Sequence, residues 1–397
     1  MTHALLNEAR SIQDWIVDIR RRLHRFPELM YEEVKTSQLV RDTLDSLDIP
    51  YRWPIAETGV LATLGDGNGP CVALRADMDA LPIHEETDVS FRSQYDGKMH
   101  ACGHDCHTSM LLGAARLLKQ REAEIGGTIK LVFQPAEEGG AGGQRMREEG
   151  VLANPSVQRI FGLHVSPQME VGRVGSRSGA LLAASGFLEI TVHGQGGHAA
   201  APHLTVDPVV VAAKIVTELQ TIVSRELDPV ESGVVSITCL NGGSACNVIP
   251  ESVELRGTVR ALSTDSLEQI KRRVEEIATH VAAAHRCEVQ INFPGIDYPP
   301  TINDATCWEV ARGVASELTN AKNVEDVPTM MGGEDFAFYT EQIPGCFVFL
   351  GVRNEQQDAV FGLHHPKFKA DENALSLGAA LHVAFAMKSL SQLTTVA

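Results

Sequence analysis

The 397-residue chain carries 34 Lys and Arg against 51 Asp and Glu, a formal charge of −17, with 44% hydrophobic residues. Such a length suits two cores of unequal size rather than one. The negative balance speaks against nucleic acid as a partner, because phosphates need concentrated Lys and Arg and the densest basic run is only RRR at 20–22.

The eight cysteines are scattered through an ordinary composition, so buried free thiols are expected rather than a disulfide framework. MTHALLNEARSIQDW has acids and an arginine where a signal peptide would need an apolar run, and the apolar stretch near 178–188 is too short to cross a bilayer. A cytoplasmic protein without a membrane span is expected.

In chain order, helices are predicted near 4–23 and 35–47. Strand-like runs follow at CVALRAD (71–77), TIKLVFQ (128–134) and QRIFGLHV (158–165), with a helix near 104–120. Between about 187 and 296 the rhythm changes to FLEITVHG, a helix at DPVVVAAKIVTELQTIV, VVSITCL, VELRGTVRAL, a helix at 264–285 and CEVQINF, the split βαβ order. The earlier pattern resumes at YPPTIND, with helices near 304–319 and 371–389 and a strand at CFVFLG (346–351). This predicts an α/β fold: a larger domain with a mostly parallel central sheet and flanking helices, and a smaller ferredoxin-like α+β domain inserted into it. The expected boundaries are 1–186, 187–296 and 297–397.

Several signatures fail. GDGNGP (65–70) lacks the last glycine of a dinucleotide loop, HEETD (84–88) the second histidine of a zincin helix, and GGSAC (242–246) the last glycine of a nucleophile elbow. MHACGHDCHTSML (99–111) carries more: Cys102 and His104 stand at a helix entrance, presenting thiolate and imidazole together. A metal site, a Cys102/Cys106 redox pair and buried thiols beside satisfied histidines all fit this stretch alone. In FQPAEEGGAGG (133–143), Glu137 and Glu138 follow an apolar strand, where α/β proteins place their chemistry, and adjacent acids can point one to a metal and one to a water. His164 in FGLHVSP and His364 in FGLHHPKF occupy similar places, with His365 leaving a one-residue ambiguity. Cys102, His104, Glu138, His164 and His364 make five potential ligands, too many for one structural zinc and suited to two ions sharing a bridging ligand.

HRFPELMYEE (24–33), ALRADMDALPI (73–83), MHACGHDCHT (99–108), FQPAEEG (133–139), GGHAAAPH (196–203), MGGEDFAFY (331–339) and GLHHPKF (362–368) resemble, in order, the metal-dependent amidohydrolases that include hippurate hydrolases, bacterial aminoacylases and plant auxin-conjugate hydrolases. The likeness runs from about residue 15 to 390. It implies a centre of two divalent ions (zinc, manganese, nickel or cobalt) on those five ligands, with Cys102 bridging and Glu137 as general base. Asp79 would support the site from beneath, and His107 would be structural. The inserted domain would be a lid and dimerisation domain whose His198 reaches the scissile carbonyl, with Asn247 and Arg260 on the substrate carboxylate. The implied substrate is a small N-acyl amino acid, and the implied assembly a homodimer or dimer-based oligomer through the inserted domain. The competing expectations are a dipeptidase or carboxypeptidase using the same centre, or an inactive metal-binding relative.

Overall fold

The computed structural model describes residues 2–396. Its Cα positions fall into two compact units: the chain up to Gly179 with Ile302–Pro328 and everything from Asp335 onward, and Ala180–Thr301 with Thr329–Glu334.

The first unit is built on an eight-stranded sheet whose spatial order is Tyr51–Ile55, Gly59–Gly65, Thr128–Gln134, Cys71–Asp77, Arg159–Glu170, Gly345–Arg353, Val174–Ser176 and Val324–Asp326. Its four central strands run parallel. Every residue of Cys71–Asp77 and Thr128–Gln134 is buried, which is why both read as near-continuous apolar runs. The antiparallel additions Tyr51–Ile55 and Gly59–Gly65, and the short Val174–Ser176 and Val324–Asp326, were not legible in the sequence.

The helix predicted at 4–23 is two helices, Thr2–Ser11 and Gln13–Arg25. The Ser11 hydroxyl donates to the Glu8 carbonyl at 2.7 Å, a local bond that competes with helix continuation. The 304–319 helix starts where expected, because the Asp304 carboxylate accepts from the Cys307 amide at 2.8 Å.

The apolar stretch near 178–188 is not the one that matters for a membrane span. Glu372–Thr395 is long and apolar enough to qualify, but 83% of its most apolar window is buried, as in the core helix of a globular unit. Within it His382 is wholly buried against Phe161, with no partner for either ring nitrogen among the described residues. Burial, then the nearby His107, pushes His382 down to about 3. The folded chain thus refuses a proton that the unfolded chain accepts at its ordinary 6.5, so this contribution is full above pH 6.5 and lost as pH falls toward 3. By pH 5 the loss amounts to about 2 kcal/mol. In urea melts at pH 7.5 and 5, His382→Leu should lose less stability than wild type by roughly that amount; parallel losses would contradict it.

The second unit is a four-stranded antiparallel sheet in the order Gly233–Asn241, Ser252–Ala261, Ala184–His193, Glu288–Asn292. Alternation along Ser252–Ala261 sends Val253, Leu255 and Val259 into a core shared with Ile215 and Leu219 of helix Pro208–Thr221 and with Ile270 and Val274 of helix Thr264–Ala284. Asp207 and Ser263 cap the two helices.

Candidate metal centre

Three parallel strands end near one another, and the segments that leave them carry the chemistry. After Cys71–Asp77 comes buried Asp79; after Thr128–Gln134 come Glu137 and Glu138; within Arg159–Glu170 lies His164. Cys102 and His104 arrive on the entrance of helix His104–Lys119, separated by Gly103 at φ +88. A Cβ on Gly103 would lie 2.4 Å from a Val165 methyl, so only glycine permits this entrance.

The ligand atoms of Cys102, His104 and His164 lie within 4.8 Å of one another, as do those of Cys102, Glu138 and His364. Cys102 belongs to both groups. Its Sγ is 3.3 Å from His164 Nε2, and His364 Nε2 is 3.1 Å from a Glu138 oxygen. The five residues chosen from sequence are thus brought together, with His364 and not His365 in the cluster. His365 instead stacks on Phe361 and its Nδ1 accepts from the Lys367 amide.

The imidazoles are oriented for ligation. His104 Nδ1 bonds Asp79 at 3.2 Å, leaving a buried Nε2 without a partner. His164 Nδ1 donates to the Val165 carbonyl at 2.8 Å, which fixes the tautomer with a lone pair on Nε2. His107 differs: Nδ1 bonds Asp77 at 2.6 Å and Nε2 accepts from the Val165 amide at 2.9 Å. Although Asp77, His104 and His107 cluster, both ring nitrogens of His107 are already engaged.

The electrostatics call for a cation. Burial opposes charge on His104, but Asp77, Asp79 and Glu138 outweigh it and push the imidazole up to about 10. Burial, then Glu138, Glu137 and Asp77, pushes the Cys102 thiol far up. Burial likewise opposes charge on Glu138, yet His364 and His104 hold its carboxyl below the usual range. A proton on His104 balances these acids here; a divalent ion satisfies the same field and leaves the thiolate stable, so the residues fit metal. The redox alternative fares worse, since all cysteines are free and Cys106 is wholly buried in the apolar core.

The acids are held from behind. Asp79 accepts from the Glu138 amide at 2.9 Å as well as facing His104, in keeping with a supporting role. Sequence reasoning missed a hub around buried Arg75, which donates to Asp77, to Gln134 at 2.8 Å and to Asp335 at 2.6 Å. Asp335 in turn accepts from the Gly143 amide at 2.8 Å, and its own amide lies 3.4 Å from a Glu137 oxygen. The available signal was an Arg and an Asp at alternate positions ending an otherwise apolar strand. Three non-glycine residues here take left-handed backbones: Ala136 (φ 54), Ala141 (φ 51) and His364 (φ 61). Such strain gathers where a site is imposed on the chain.

In the second unit, exposed His198 pairs with Val248 in a short antiparallel ladder, and the Ala199 amide donates to the Asn247 carbonyl at 3.0 Å. His198 and Asn247 are therefore neighbours. Arg260 is half-buried on Ser252–Ala261 and donates to the Met331 carbonyl at 2.7 Å.

A parallel-sheet unit that gathers Cys, His and Glu side chains at its strand ends has the donor set of a metal-dependent enzyme. Peptidase family M20/M25/M40 matches residues 73–388, and the chain belongs to it. It is 47% identical over 383 residues to an IAA-amino acid hydrolase (ILR1-like 4) of Arabidopsis thaliana, covering 96% of this chain and 87% of that one. Over 392 residues it is 39% identical to thermostable carboxypeptidase 1 of Saccharolobus solfataricus, covering 98% of each. A solved structure of Bacillus subtilis YXEP protein, described as a dinuclear metal-binding peptidase of the M20 family, superposes with a TM-score of 0.82 at 36% identity, covering 96% of this chain and 99% of that one.

Proposed function

We propose that the protein hydrolyses N-acyl amino acids at the amide bond, releasing a carboxylic acid and a free amino acid. The observation that carries this reading is the convergence of Cys102, His104, Glu138, His164 and His364 on adjoining positions with Glu137 beside them. The acyl amino acid is favoured over a peptide because the plant hydrolase is more similar than the archaeal carboxypeptidase.

Those five residues would hold two divalent ions, which when bound supply Lewis-acid polarisation of the carbonyl and acidify the attacking water. Glu137, held at a strand end, takes the proton that water sheds on forming the new C–O bond and delivers it to the amine nitrogen as the C–N bond breaks. His198 donates to the developing oxyanion, and Asn247 and Arg260 bind the substrate carboxylate. The inserted unit serves as lid and dimerisation domain: Gly233–Asn241 is an edge strand with an exposed end, open to pairing with a second copy. The enzyme acts in the cytoplasm as a homodimer, and which of zinc, manganese, nickel or cobalt it holds is left to elemental analysis.

Carboxypeptidase activity is the second reading, favoured by the archaeal relative. Acetyl-, benzoyl- and indole-acetyl-amino acids assayed beside dipeptides, with and without chelator, separate the two. The acyl amino acids should be preferred by at least about tenfold in kcat/KM, roughly 1.4 kcal/mol, with chelator abolishing turnover. Preference for dipeptides would transfer the function to the second reading.

A further inference from the structure

The segment HRFPELMYEE carries no ligand and no group of the proposed reaction, yet its side chains reach the site from outside. Buried His24 bonds Asp105, next to His104 on the ligand helix, at 2.8 Å, and the Glu28 carbonyl accepts from the Ala80 amide at 2.8 Å, next to Asp79. Glu33 goes furthest. Wholly buried, it accepts from the Ala136 amide at 2.9 Å through one oxygen and from the Thr58 hydroxyl at 2.6 Å through the other.

Ala136 immediately precedes Glu137 and holds the left-handed backbone at φ 54, a conformation that the Cβ of an alanine disfavours. Something must impose that conformation. The turn supplies one restraint, the Gly142 amide donating to the Ala136 carbonyl at 3.1 Å, and glycine is required there because a Cβ would meet the Pro135 oxygen at 1.7 Å. Glu33 supplies the other restraint, on the opposite side of the same residue. With both made, the direction in which the chain presents Glu137 is fixed.

Resting on the reading of Glu137 as the base, we propose that Glu33 is its positioning residue, clamping the Ala136 amide so that the following carboxylate is aimed. Glu33 touches no reacting atom. The clamp needs an acceptor oxygen and not a charge, since a carboxyl in either protonation state offers the Ala136 amide an oxygen. A glutamine in its place would still accept from Ala136 while its NH₂ donates to Thr58, whose hydroxyl rotates to accept.

The test uses the full-length, metal-loaded enzyme. Glu33→Ala should lower kcat by about 10- to 100-fold with KM little changed, the scale of misplacing a reacting group. Its metal content should stay at the wild-type ratio, and hydrogen exchange should quicken over residues 134–143 but not over the ligand helix His104–Lys119. Glu33→Gln should restore kcat to within about threefold and restore exchange protection, because the acceptor is kept. If Glu33→Ala folds poorly, Thr58→Val loosens the same carboxyl and should give the same pattern more weakly. Unchanged exchange over 134–143, an unchanged kcat in metal-replete Glu33→Ala, or a Gln variant as impaired as Ala would each overturn the proposal. Exchange is read without turnover, so it decides the clamp even in an enzyme whose substrate is not an N-acyl amino acid.

Discussion

Glu137→Gln is expected to keep its full complement of metal and to lose turnover by about a hundredfold or more, the scale for removing a general base. Glu138→Gln, one residue on, should instead lose metal first and activity as a consequence. The two acids are adjacent in sequence, and the proposed roles differ because the backbone between them is not helical and lets the carboxylates point differently. Glu137 lies beside the Asp335 amide, whereas the Glu138 carboxylate shares a cluster with Cys102 and His364 and its amide is tied to Asp79. Gln at 138 offers a neutral amide oxygen where the Cys102 and His364 group needs an anion to face a dication. Elemental analysis alongside kcat separates the roles. Two variants that both retain metal and turnover would overturn the assignment, and a metal-poor Glu137→Gln would exchange the two residues.

What the sequence disclosed follows from how local each signal is. The central strands and the split βαβ order were readable because burial on both faces, or on one, stamps a period on the residues. The five ligand candidates were readable because Cys, His and Glu at strand ends are conspicuous in apolar surroundings. The Arg75 hub was not, since its partners Asp77, Gln134 and Asp335 come from three segments whose proximity is set by the order in which strands line up. Nor was the bond between Glu33 and the Ala136 amide: the two residues are 103 positions apart in the chain, and nothing in the string AEEGG announces that Ala136 adopts a left-handed backbone. The edge strand Tyr51–Ile55 was missed for a related reason. Tyr51–Ile55 has one buried residue and contains a proline, so it lacks the alternation that marks a strand.

The remaining large effect is expected at His198, on the inserted unit. Its Nδ1 accepts from the Ala200 amide at 3.0 Å, which places the neutral ring's proton on Nε2 and leaves an exposed N–H donor. A neutral donor held by its own backbone suits an oxyanion, because it stabilises negative charge as it develops without having to lose a proton. His198→Ala should therefore cost roughly 2–4 kcal/mol of transition-state stabilisation, a loss of about 30- to 1,000-fold in kcat, with metal content intact. The dimer proposed through this unit allows the imidazole to act in the partner's site, and mixing decides it. His198→Ala chains and Glu137→Gln chains, each nearly inactive alone, are combined under conditions that let subunits exchange. If the histidine acts in trans, each hybrid has one site with both groups intact, and activity returns toward about a quarter of wild type on statistical mixing of a two-fold dimer. Verified hybrids that stay inactive would place His198 within its own chain's site, and a fully active His198→Ala homodimer would remove it from the reaction altogether.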